Sequence, residues 1–103
     1  MHAHKKEMPA FEAVSQQLDG KVSIVGVTDT LDLDGSRAAA DKAGVTYPLL
    51  VDEDQNLQSD LGIAGLPATI FVDADGKVVG RHLGALTEAE LTKEIEDRYG
   101  IEA

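Results

Sequence analysis

The run from Ala68 to Leu83, ATIFVDADGKVVGRHL, constrains the fold more than any other part of this chain. Ala68 to Val72 is apolar and β-branched, as a buried strand requires. Asp73-Ala74-Asp75-Gly76 is a turn, with Gly76 supplying a positive φ. Lys77 to Leu83 then returns as an antiparallel strand. A chain containing this hairpin must build a sheet around it, and the rest of the sequence has to supply its cover.

That cover is helical. Met8, Phe11, Val14 and Leu18 recur at spacings of three and four within Lys5 to Leu18, so they share one helix face. Pro9 lies inside this pattern. In a first turn it costs nothing, and deeper it would bend the axis. Asp19-Gly20 ends the helix. Thr87-Glu88-Ala89-Glu90 has the spacing of a capping box, and the helix after it places Leu91, Ile95 and Tyr99 on one face. Arg98 falls in its last turn, opposite the negative end of the helix.

The middle of the chain alternates. Val22 to Val27, VSIVGV, is nearly all apolar and fits a strand buried on both faces. Thr28 to Gly35 is an Asp-rich loop, and Ser36 to Ala43 is helical, stopped by Gly44. Leu49 to Asp52 is a short strand, and Asn56 to Leu61 a short helix. The order is α, β, α, β, α, β-hairpin, α, which is an α/β domain. At 103 residues, 1–103 form a single domain.

Composition narrows function. The 9 basic and 19 acidic residues give a formal charge of −10, a poor surface for nucleic acid. No run approaches the roughly 20 apolar residues of a membrane helix. No apolar run precedes a small-residue cleavage site, so no signal peptide is expected in these residues. Cysteine is absent, so no disulfide, thiolate or thiolate metal site can form. No Ser–His–Asp set, phosphate loop or paired-carboxylate cleft stands out, and no cofactor is expected.

Several segments together are specific. KKEMP at Lys5 to Pro9 precedes a helix, VGV lies at Val25 to Val27, and GVTYPLLVD spans Gly44 to Asp52. GIAGLPATIFVDADGKVVGRHLG, Gly62 to Gly84, follows. Together they resemble the exported thioredoxin-like family of thiol–disulfide oxidoreductases, the TlpA/ResA group, from about Lys5 to Arg98. The resemblance implies a thioredoxin-like sandwich, a central mixed sheet flanked by helices. It also implies protein thiol or disulfide substrates, and an exported or membrane-anchored, extracytoplasmic setting, with a cytoplasmic one as the alternative.

The family's active site is a Trp-Cys-x-x-Cys motif at the N-terminus of the first helix. There, unpaired N–H groups and the positive dipole end stabilise a thiolate. A cis-proline faces it, and the backbone just before that proline pairs with extended substrate. Pro67 matches the cis-proline, so the resemblance makes Leu66, Pro67 and Ala68 the substrate-binding segment. The second cysteine stands three residues before the Glu of the EMP segment, which is His4 here. The first falls on Met1. The CxxC register therefore holds no sulfur nucleophile, and no catalytic residue is expected.

The family's strand before CxxC is also missing. It would lie between Val22–Val27 and Ala68–Val72, where neighbours sit about 4.8 Å apart. Its loss leaves unpaired N–H and C=O groups, each costing about 1–3 kcal/mol if buried, against a total stability of roughly 5–15 kcal/mol. Three explanations follow. The chain is part of a longer redox protein, a strand comes from a partner or a second copy by self-association or strand donation, or the strands close into a sheet of altered order.

Other features have plain readings. His2 and His4 could hold copper or nickel with the terminal amine, but no third and fourth protein ligand is apparent. His82 reads as a surface residue. Thr30 to Gly35 brushes against a calcium loop but ends on Asp41 where Glu is needed. Glu7 and Glu12 lie five apart, on different helix faces, and read as solvated charges.

Overall fold

The computed structural model describes residues 3–29, 31, 33–63, 65 and 67–102. Its elements in chain order are α1 (Ala3–Gln17), β1 (Gly26–Asp29), α2 (Leu33–Ala43), β2 (Leu49–Asp52), α3 (Asn56–Asp60), β3 (Ala68–Val72), β4 (Val78–Leu83) and α4 (Glu88–Tyr99). A short 3₁₀ turn, Glu53–Gln55, joins β2 to α3.

The core is the meeting of the two long helices with the hairpin. Val14 of α1, Leu18 just past its end, Phe71 of β3, Leu86, and Leu91 and Ile95 of α4 form one buried cluster. Phe11, Val22, Ile24, Tyr99 and Ile101 pack against it. The helix faces expected from the spacing are the faces buried. Thr87 caps α4 as its sequence requires: its hydroxyl accepts the Glu90 N–H at 3.1 Å, and the Glu90 carboxylate accepts the Thr87 N–H at 3.0 Å. Gly100 closes the helix at φ 64°.

The hairpin turn is held from inside. The Asp73 carboxylate accepts the N–H groups of Asp75 and Lys77, both at 2.9 Å, while Gly76 takes φ 84°. The Asp52 carboxylate does similar work at the start of α3, accepting the Leu57 and Gln58 N–H groups at 2.7 and 2.9 Å. Those helix-end donors have no intrahelical partner, and the carboxylate supplies one.

Three expectations need correction. Helix α1 spans Ala3–Gln17 instead of Lys5–Leu18, so Pro9 takes the interior of the two positions open to it and removes one interior amide bond. The first strand covers Gly26–Asp29 instead of Val22–Val27. A strand exists only where a partner stands beside it, and β2 begins at Leu49, opposite Gly26. Helix α2 starts at Leu33, so half of the supposed calcium loop is the helix's first turn; Thr30 and Asp32 lie outside the described residues.

The sheet itself is divided. β1 and β2 pair in parallel, β3 and β4 antiparallel, and among the described residues no ladder joins the two pairs. The strands have not closed into a new order. A cleft of about 650 Å³ separates them, lined by both β1 and β3. Val25 and Val27 are 49% and 46% exposed, so water reaches this edge. A backbone edge open to water escapes most of the penalty that a buried one carries.

Burial predicts where the fold is vulnerable. Leu91→Ala, in the core, should cost about 2–5 kcal/mol in urea unfolding. Leu83→Ala, on a side chain that is 64% exposed, should stay within about 0.5 kcal/mol of the parent. Equal effects would mean that the helix–hairpin cluster does not carry the fold.

Candidate functional site

The start of α1 and the Pro67 segment are where the sequence places the site. Met1, His2 and Leu66 lie outside the described residues, as does the His4 side chain. The CxxC register and the His2/His4 metal reading therefore fall outside what the structure describes. Among the described residues, no three His, Cys, Asp or Glu side chains gather as a metal site.

Pro67 and Ala68 are well placed by the hairpin. The Pro67 carbonyl accepts the Gly84 N–H at 2.9 Å, extending the β3–β4 ladder by one pair. That carbonyl is thus occupied. Pairing alternates along an antiparallel strand, so Thr69 and Phe71 bond to β4, and Ala68 and Ile70 turn their N–H and C=O groups away from it. Of the three residues assigned to substrate, Ala68 presents open backbone.

Glu7 is not the solvated charge that its spacing from Glu12 suggests. It is 8% exposed, and its carboxylate accepts the Leu86 N–H at 2.5 Å, across 79 residues of sequence. Burial pushes its carboxyl above the ordinary range, opposed by the Leu86 N–H and by nearby His82. His82, half-buried on β4, is thus an electrostatic neighbour of Glu7 and not merely a surface residue.

Glu12 is also engaged. Its carboxylate accepts the Thr46 N–H and hydroxyl, each at 2.7 Å, and the Gln16 amide at 2.7 Å. The Thr46 N–H chiefly, with the Gln16 and Thr46 side chains, holds its carboxyl down to about 2. This clamp ties α1 to the turn before β2. Buried Tyr47 lies in that turn, its phenol pushed up to about 12 by burial and by the charges of Glu12 and Glu7.

Two helices over a divided sheet, a capped hairpin and a proline at the head of β3 define a thioredoxin-like architecture. A family profile described as a thioredoxin-like domain matches residues 1–99, and the chain belongs to that family, in its TlpA/ResA-like branch of thiol–disulfide oxidoreductases. It is 27% identical over 95 residues to the thioredoxin-like protein YneN of Bacillus subtilis, covering 89% of this chain and 55% of the relative. It is 28% identical over 85 residues to the thiol-disulfide oxidoreductase ResA of Halalkalibacterium halodurans, covering 82% and 48%. The chain thus spans about half the length of these curated relatives. Among solved structures, MTB dsbF in its mixed oxidized and reduced forms superposes with a TM-score of 0.79 at 25% identity, covering 92% of this chain and 70% of that one. No described helix is long and apolar enough to cross a membrane.

The two carboxylates give opposite pH signatures. The Glu7 pKa is raised in the fold, so its contribution is present below 4.5 and is lost as pH rises through its folded value. The Glu12 pKa is lowered, so its contribution is present above 4.5 and is lost as pH falls toward 2. Glu7→Gln should therefore gain stability relative to the parent as pH rises above 4.5. Glu12→Gln should be less stable than the parent at pH 6, the difference closing toward pH 2. Thermal unfolding across pH 2–7 checks both signs.

Proposed function

We propose that these residues form the scaffold of a thiol–disulfide oxidoreductase domain that does not itself carry out the exchange. The single observation behind this reading is a thioredoxin-like fold with no cysteine anywhere in the sequence. Exchange needs a thiolate that attacks a disulfide sulfur. A new S–S bond forms, the old one breaks, and the departing thiolate takes up a proton. A second thiol then resolves the mixed disulfide. Met1 and His4, in the register of those two groups, can do neither. The family's protein thiol substrates are the partners this scaffold is shaped for.

A second reading rests on the Pro67 segment. Its backbone, with Ala68 opening toward solvent, suits an extended polypeptide laid against the start of β3. In that reading the domain binds polypeptide without altering its redox state.

Insulin reduction by dithiothreitol tests the main reading. Turbidity should develop no faster with the 103-residue chain than with dithiothreitol alone. Acceleration by the cysteine-free chain overturns the proposed inertness. A chain extended by an N-terminal strand and carrying Met1→Cys and His4→Cys should accelerate the reaction. No acceleration by that folded variant removes the claim that this is a redox scaffold.

A further inference from the structure

Helix α3 ends in a glycine stop that leaves one carbonyl over. The Ile63 N–H donates to the Gln58 carbonyl at 2.9 Å, and the Gly62 N–H to the Ser59 carbonyl at 3.0 Å, with Gly62 at φ 65°. These are the paired bonds of a helix stopped by a left-handed glycine. They do not use the carbonyl of Leu61, the C-cap residue. Carbonyls at a helix end need partners from elsewhere. The partner here is Arg81 of β4, whose Nη1 donates to the Leu61 oxygen. The same nitrogen lies 3.9 Å from where a Cβ on Gly62 would stand, so it rests against the stop itself.

Arg81 is exposed, on a chain with a formal charge of −10. Among the described residues it nonetheless forms no ion pair, and its partner is a backbone carbonyl. Among the described residues, no other side-chain hydrogen bond joins the hairpin to residues 57–63. Three residues further along the chain, the Gly84 N–H donates to the Pro67 carbonyl at 2.9 Å. The connection from α3 to β3 is thus anchored at both ends by one short stretch of chain. Arg81 holds it at Leu61, and Gly84 holds it at Pro67.

We propose that Arg81 is a positioning residue for polypeptide bound at Pro67 and Ala68. By fixing the end of α3 to β4, it sets the line along which the chain enters Pro67, so the Ala68 backbone is presented already ordered. Ordering a loop at the moment of binding costs affinity, and an anchored loop avoids that cost. Arg81 acts through the Leu61 carbonyl and not by touching the bound segment. One carbonyl needs one donor, so lysine at this position keeps most of the effect, while an uncharged methionine, with no donor, keeps none. The inference rests on the reading of Pro67 and Ala68 as a polypeptide-binding segment. It adds to that segment a residue which the family resemblance does not assign to it.

Two measurements on the whole chain, Arg81→Met and Arg81→Lys test it. The first is amide hydrogen exchange without ligand. In Arg81→Met, exchange at Gly62, Ile63 and Gly84 should quicken by at least about tenfold, with the Ile95 amide in the core unchanged. The second is binding of fluorescein-labelled insulin B chain whose cysteines are blocked with iodoacetamide. Its Kd should rise by at least about tenfold in Arg81→Met. Arg81→Lys should recover most of both effects. Three results overturn the proposal: unchanged exchange at those three amides in Arg81→Met, equal acceleration at Ile95, or a lysine variant no better than the methionine one. Quickened exchange with unchanged affinity also overturns it, since the anchor would then serve the fold alone. A parent chain that fails to bind the B chain removes the polypeptide-binding reading and the affinity claim with it, while the exchange rates still decide whether Arg81 anchors the Pro67 segment.

Discussion

Contact between the helices and the hairpin holds this structure together, because its sheet does not. In most α/β domains a continuous hydrogen-bond ladder sets strand positions and helices cover it. Here β1–β2 and β3–β4 share no ladder among the described residues. What relates the two pairs is the apolar cluster that α1 and α4 form with Phe71, with Val22 and Ile24 reaching it from the approach to β1. Hydrophobic packing is not directional, so it can hold two half-sheets at a separation that hydrogen bonding alone would not choose. Polar links then fix the orientation. Glu7 joins α1 to Leu86, Glu12 joins α1 to Thr46, and the Tyr99 hydroxyl joins α4 to Val72.

Much of this was legible from local pattern. The Asp73–Gly76 turn, the capping box at Thr87 and the two apolar helix faces depend on residues within a few positions of one another. The limits of β1 did not. VSIVGV reads as a six-residue strand by composition, but the ladder starts only where Leu49 stands opposite Gly26, and that is a fact about another segment. Pro9 shows a related limit. Its position within α1 depends on how far the helix extends toward Ala3, which no capping residue marks.

Glu7 is the instructive miss. Its partner, the Leu86 N–H, is 79 residues away and invisible to any local rule. A signal was nonetheless present. Glu7, Phe11, Val14 and Leu18 are separated by four, three and four residues, so Glu7 lies on the apolar stripe itself. A carboxylate there either breaks the face or has a buried donor waiting for it. Burial raises the pKa of this carboxyl, and it sits near His82.

The division of the sheet and the absence of cysteine separate what the family fold provides from what these residues can perform. The hairpin and the two long helices belong to the scaffold and are in place. A thiolate is a matter of two side chains, and neither register position, Met1 or His4, offers a thiol. The cleft is a different kind of absence, since it is a shape with unsatisfied donors and acceptors on opposing edges. Tyr99 makes the contrast concrete. Where its hydroxyl reaches Val72, the edge of β3 is satisfied by a side chain, and where it does not, Ala68 and Ile70 are left to water. One aromatic hydroxyl thus marks where the part of this edge that these residues complete for themselves comes to an end.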